Sequence, residues 1–264
     1  MKVVMMTDLE GVAGVVSFTD QGYETGKYYE AAKKLLTAEV NTAVEGLLAA
    51  GVEDVLVIDG HGPGGIYFED LHPAAKLMHG RPLAPASVRD PIVAGYDAGV
   101  MIGQHAMAGV MDGNLAHTQS SRAIDYYTLN GQPIGELAQF ALYCGGLGLP
   151  LIFVSGDDAA CREAEALIPG ITTVAVKQGL SRDSAISLAA PEAHRRIREG
   201  IQRAIEQQHA HPLPPLRWDP PYVLEKRFFH TDDADAAAAH PGVERVDSQT
   251  VRLYSDTILD LIYR

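Results

Sequence analysis

The stretch MKVVMMTDLEGVAG, Met1–Gly14, decides the fold. Val3–Met6 is apolar at consecutive positions, so both faces of an extended segment would be apolar. That is the mark of a parallel strand covered by helices on both sides. The chain then turns acidic, with Asp8 and Glu10 one residue apart. Positions two apart along a strand share a face. If the extended run continues, these carboxylates lie side by side at its carboxyl end. Two like charges that close repel unless something positive stands between them.

Four further runs have the same character: Val55–Ile58, Gly99–Ile102, Leu151–Val154 and Thr172–Val176. Helical patterns alternate with them. Leu35, Leu36, Val40, Val44, Leu47 and Leu48 recur at helical spacing before Gly51, a natural stop. A capped helix is expected over GDDAACREAEALIPG, ending at Pro169-Gly170, and more helix over Ser181–Ala210, interrupted at Pro191. The alternation predicts an α/β fold, a mainly parallel sheet flanked by helices. Residues 118–135 break the pattern as an extended stretch with a hairpin signal at Asn130-Gly131. The Pro-rich segment His211–Pro221 reads as a bend. Beyond it come a strand-like YVLEKRFF, an Ala-rich helix, TVRLYS and a closing helix. We expect a catalytic α/β part over 1–213 and a smaller C-terminal α+β part over 214–264.

Composition narrows the function. The chain of 264 residues is 47% hydrophobic, enough for a large core. Its net charge of -13 disfavours nucleic acid and anionic membranes, which need basic patches. No run of about 18 apolar residues suggests a membrane span, and MKVVMMTD does not read as a secretory signal. Two cysteines, Cys144 and Cys161, are too few for a disulfide framework, and a cytoplasmic setting is expected.

Chemistry-bearing residues gather after the apolar runs. DGHGPGG holds Asp59 and His61, GQHAMAG holds His105, NLAHTQ holds His117, and GQPIGELA holds Glu136. In open α/β sheets, ligands bind beyond the carboxyl ends of the strands. Two histidines and three carboxylates form a mixed nitrogen and oxygen set that suits zinc, with manganese as a harder substitute. A carboxylate between two ions can bridge them, so Asp8 and Glu10 can stand together if divalent cations neutralise them.

The ordered motifs MTDLEGVAG, DGHG, GQHAMAG, GVMDGNLAHT, NGQPIGELA, VSGDDAA and AVKQGLSR resemble the zinc-dependent D-aminopeptidase family. These are binuclear zinc peptidases, often called dipeptide-transport proteins after their operon. The resemblance runs from about residue 1 to about residue 190. It implies hydrolysis of short peptides with N-terminal D-residues, D-Ala-D-Ala among them, by a zinc-activated water. It implies two zinc ions per subunit, with Asp8 bridging them. Glu10 and His105 are expected to complete one site, His61 and Glu136 the other, and His117 to be the catalytic acid/base. A large ring-like homo-oligomer is also implied. Asp59, Asp157 and Asp158 are candidates to support the ligands, although an aspartate before AACREAEAL equally caps a helix. Lys177 is a candidate to neutralise the acids or bind a substrate carboxylate. The loops over 11–27 and 79–91 are expected to shape the pocket.

Three other readings are weighed. The same metal set could act on another amide without D-selectivity. An aspartyl-phosphate phosphatase would leave His61, His105 and His117 unused. A dipeptide-binding transport component would not need a converging histidine and carboxylate set.

Overall fold

A computed structural model describes all 264 residues. The chain's first strand, β1 (Lys2–Thr7), is the hub of a seven-stranded sheet. Its neighbours are β2 (Asp54–Asp59) and β4 (Ala98–Gln104), both parallel to it. The sheet extends through β3 (Ala75–Met78) beyond β2, and through β7 (Leu151–Asp157) and β8 (Thr172–Ser181) beyond β4. Only β9 (Ser184–Ser187), at the far edge, runs antiparallel. All five apolar runs read from the sequence are parallel strands of this sheet.

Strand alternation then builds two cores. Val3, Met5, Val55, Val57, Val100 and Ile102 face one side, against α1 (Tyr29–Ala49) and α5 (Ala190–Ala210). Val4, Leu56, Ile58, Met101 and Val154 face the other, against α3 (Glu136–Gly146) and a second sheet. The cores are of equal size, 31 buried residues each, so neither face of the parallel sheet is spare. Burying one such aliphatic side chain contributes about 1.5–3 kcal/mol. Helix α1 ends as its spacing predicts. Gly51 takes φ +85°, its N–H donates to the Leu48 carbonyl, and the Val52 N–H donates to the Leu47 carbonyl.

The second sheet is antiparallel and five-stranded, in the order β11-β12-β10-β5-β6. Three strands are C-terminal: β10 (Tyr222–Phe228), β11 (Val243–Arg245) and β12 (Thr250–Ser255). The other two, β5 (Ile124–Leu129) and β6 (Gln132–Ile134), are the hairpin turning at Asn130-Gly131, where both residues have positive φ. So the segment 124–134 is drawn into the same layer as residues 222–255. The short α6 (Thr231–Ala238) packs on this sheet.

Three expectations change. Pro191 does not interrupt a helix; it sits in the first turn of α5, where a missing N–H costs nothing. The residues before it form β9 and a short loop rather than helix. The closing helix is a single 3-10 turn, Ile258–Asp260. A short helix, α2 (Ala86–Val93), has Pro91 within it and lies between β3 and β4.

Candidate metal centre

The carboxyl ends of β1, β2 and β4 converge because these strands are adjacent. Asp8 follows β1, His61 follows β2 by two residues, and His105 follows β4. The strand β1 stops at Thr7, so Asp8 and Glu10 do not converge by strand alternation as the sequence suggests. Instead the chain turns over β4: the Asp8 N–H donates to the Ile102 carbonyl and the Gly11 N–H to the Gly103 carbonyl. Gly103 has φ +77°, and a Cβ there would collide with the Asp8 carbonyl, so only glycine fits this crossing. The turn still aims both carboxylates at one imidazole. His61 Nδ1 is 3.2 Å from Asp8 Oδ1 and 3.0 Å from Glu10 Oε2.

His105 forms the other half. Its Nε2 is 3.0 Å from Asp8 Oδ2 and 3.4 Å from Glu136 Oε1. Glu136 opens α3 and accepts a hydrogen bond from the Gln119 N–H at 2.7 Å. Asp8 therefore stands between Glu10 with His61 on one side and His105 with Glu136 on the other. The resemblance implies a pairing of Glu10 with His105, and the ligand atoms of Asp8, Glu10 and His105 do lie within 4.8 Å of one another. Sheet order sets the contacts with Asp8: β2 and β4 flank β1 on opposite sides, and each delivers its histidine to a different oxygen of Asp8.

Each histidine is fixed by a main-chain carbonyl, which can only accept. His61 Nε2 donates to the Gly22 carbonyl at 3.0 Å, His105 Nδ1 to Ala106 at 2.8 Å, and His117 Nδ1 to Leu115 at 2.9 Å. The remaining nitrogens of His61 and His105 point at carboxylates, to which they donate in the absence of a cation and from which a bound cation would take them as lone pairs. The remaining nitrogen of His117 is left as a lone pair that can take a proton. The His117 ring stacks on His105, centroids 3.9 Å apart, and meets the Phe18 ring edge-on. Its Nε2 is 3.8 Å from Glu136 Oε1.

The electrostatics are those of a site that wants a cation. Asp8, Glu10, His61 and His105 are buried. Despite the cost of burial, His105 and His61 hold the Asp8 carboxyl well below the usual carboxylate range. Also against burial, Glu10 and Asp8 push His61 well up, while Asp8 and Glu136 do the same to His105. Burial pushes His117 down instead, and the charge on His105 adds to that. Two buried atoms, Glu10 Oε2 and His105 Nε2, have no hydrogen-bond partner. They face other ligand-type atoms at 3.0–3.4 Å. Ligands about 2.0–2.1 Å from a tetrahedral zinc are separated by about 3.4 Å, so the donor set fits that ion. Two ligand groupings emerge: Asp8 with Glu10 and His105, and His105 with His117 and Glu136.

The supporting candidates are placed as follows. The carboxylate of Asp59 makes no hydrogen bond to His61. It accepts the Gly65 N–H at 2.9 Å and so shapes the loop that carries His61. Asp157 caps α4 (Asp158–Leu167), accepting the Ala160 N–H, and also accepts the Asn114 N–H at 3.0 Å. Asp158 accepts from the Gly179 N–H and pairs with Arg162. Lys177 is buried on β8, and its ammonium donates to the Glu10 carbonyl, the Val15 carbonyl and Asn114 Oδ1. Two acids escaped the sequence reading. Glu39, buried on α1, accepts the Ala13 N–H at 3.0 Å, and Glu163 accepts the Met107 N–H at 3.0 Å. Both pin loops that carry the converging residues. A carboxylate in an amphipathic helix reads as solvated, so sequence gives no signal for either.

A cavity of about 540 Å³ opens over Asp8, Glu10, His61, His117 and Glu136. Its walls include Tyr23 from the 11–27 loop, Arg81, Leu83 and Arg89 from the 79–91 region, Met101, and Tyr143 and Tyr263 from the second layer. Both loops expected to shape a pocket do line it. The volume is in the range of small-ligand sites.

Comparisons with known proteins place the chain in a family. The model of the D-aminopeptidase family matches residues 1–263. A D-aminopeptidase from Bacillus subtilis strain 168 is 31% identical over 264 residues, covering 98% of this chain and 93% of the relative. The solved structure of the Zn-dependent D-aminopeptidase DppA from Bacillus subtilis, described as a self-compartmentalizing protease, superposes with a TM-score of 0.89. That match has 30% identity and covers all of this chain and 94% of the other. Full-length agreement of family model, sequence and fold makes this chain a member of the D-aminopeptidase family.

Proposed function

We propose that the chain is a zinc-dependent aminopeptidase that releases N-terminal D-residues from short peptides of the D-Ala-D-Ala type. The observation that carries the metal reading is the buried, unpartnered pair Glu10 Oε2 and His105 Nε2, each facing further ligand atoms. Asp8, Glu10, His61, His105 and Glu136 would hold two ions, with Asp8 shared between them. Bound zinc supplies Lewis acidity, making hydroxide available near neutral pH and polarising a carbonyl.

The chain's own groups supply the rest. The lone pair on His117 Nε2 takes a proton as water adds to the scissile carbonyl carbon. It returns that proton to the leaving nitrogen as the C–N bond breaks. A histidine held neutral by burial is suited to that exchange. The Leu115 carbonyl fixes its tautomer throughout. Asp8, Glu10 and Glu136 would offset most of the charge of the bound ions. Lys177 positions Glu10 through its main-chain carbonyl. No helix is long and apolar enough to cross a membrane, and two free buried cysteines suit a reducing, cytoplasmic compartment.

Self-compartmentalization is a property of DppA, and we extend it to this chain as a ring-like homo-oligomer. Exposed apolar side chains such as Met111 and Phe68 are candidates for its contacts. Light scattering coupled to gel filtration tests this directly, and a monomer at working concentration refutes it. The activity is tested by titrating metal-stripped protein with zinc, or with manganese, and following amino-acid release from D-Ala-D-Ala and L-Ala-L-Ala. Zinc-dependent release from the D-dipeptide alone is expected. Equal release from both would retain the hydrolase and remove the D-selectivity.

A further inference from the structure

We propose that Arg122 is the residue that selects peptides ending in a free carboxylate close to the scissile bond. This rests on the peptidase reading above and names a substrate class for the same site. Three arginines line the cavity, and two are already engaged. Arg81 donates to the carbonyls of Asp59, His61, Gly62 and Gly80. Arg89 donates to Asp90 Oδ1 and to the Tyr143 hydroxyl. Arg122 makes no hydrogen bond and no ion pair, yet it is not loose. Its guanidinium carbon lies 3.8 Å from the centroid of the Tyr23 ring. Tyr23 is itself fixed, stacked on Phe18 at 5.5 Å and with its hydroxyl 3.0 Å from Ser121 Oγ.

A guanidinium over an aromatic ring keeps its edge, where the N–H donors lie, free for a ligand, and Arg122 lines the cavity. That edge matches a carboxylate in two parallel hydrogen bonds. The platform is coupled to the metal centre, because Tyr23 follows Gly22, whose carbonyl fixes His61. Lys177, the other cation considered for this role, does not line the cavity and has three oxygen acceptors already. A dipeptide has a cationic and an anionic end. The cavity pairs the metal-ligating floor with one unclaimed cation on its wall.

The test compares D-Ala-D-Ala with its C-terminal amide on zinc-loaded wild type, Arg122→Ala and Arg122→Lys. The wild type should prefer the free acid in kcat/KM. In Arg122→Ala, KM for the acid should rise about tenfold to hundredfold, the range carried by hydrogen bonds between charged groups. Its kcat, its kinetics on the amide and its zinc content should stay within twofold of wild type. Arg122→Lys should recover part of the preference, since it keeps the charge and loses the fork. Equal losses on acid and amide would overturn the assignment while leaving the peptidase reading intact, as would a wild type that does not distinguish the two. No release from either substrate by zinc-loaded wild type would overturn the peptidase reading and the assignment together.

Discussion

Replacing Glu39 by Gln should stabilise the protein, and by more at pH 7 than at pH 5. Glu39 Oε1 accepts the Ala13 N–H, while Oε2 is buried with no partner. Burial raises the carboxyl from its ordinary 4.5 to about 8, against opposing contributions from the Ala13 N–H and Lys177. Between those two values the folded protein holds a proton that the unfolded chain releases. The stability this carboxyl contributes is therefore complete below about pH 4.5 and is lost as pH rises through 8. A raised pKa of this size corresponds to roughly 5 kcal/mol in total, of which about 2.5 kcal/mol is lost between pH 5 and pH 7. Glutamine keeps the acceptor for Ala13 and never ionises. The difference in unfolding free energy between Glu39→Gln and wild type should therefore grow by about 2.5 kcal/mol from pH 5 to pH 7. Chemical denaturation at matched protein and zinc concentration measures it, and titrations common to both proteins cancel. Parallel stability curves across that interval would refute the claim that this acid is held neutral at the anchor of the Glu10 loop.

Lys177→Met should cost about 3–5 kcal/mol of stability, because two carbonyls and Asn114 lose a buried charged donor amid nearby acids. It should also weaken zinc by about 10–100-fold through the freed Glu10 backbone; competition with a chelator reads the second effect, and unchanged affinity would detach Lys177 from the metal centre. His117→Ala should lower turnover by about 10²–10⁴-fold with zinc content retained, whereas zinc loss in proportion to activity would make His117 a ligand. Zinc added to metal-stripped protein should raise the unfolding free energy by about 2.7 kcal/mol per site at a hundred times its Kd. A melting temperature indifferent to zinc would count against the whole centre.

Strands were the most legible part of the fold. Val3–Met6, Val55–Ile58 and their counterparts must be apolar on both faces because two cores press on them, and that signal needs no partner to be read. The edge strands β3 and β9 carried no such signal, since each has one solvated side. Pro191 was misread because a proline that opens a helix and one that breaks it look alike in sequence. The hairpin at 124–134 was visible, but its pairing with β10, about a hundred residues on, is a long-range choice that local pattern does not encode. At the site, the converging residues were legible from their places after strands. Which Asp8 oxygen each histidine meets was not, because it depends on β2 and β4 lying on opposite sides of β1. Arg122 was invisible for the same reason: its role depends on Tyr23, a hundred residues away in the chain.

All three imidazoles at the centre are held by main-chain oxygens, at Gly22, Ala106 and Leu115, and by no outer side chain. Hydrogen-bonded orientation is thus tied to the route of the backbone. Substitutions that neither touch the rings nor hold the loops should be quiet. A single inserted or deleted residue in 18–22, 106–107 or 113–117 would turn a ring and disable the centre. In this chain, tolerance to exchange and intolerance to changes of length should therefore coexist within the same few residues.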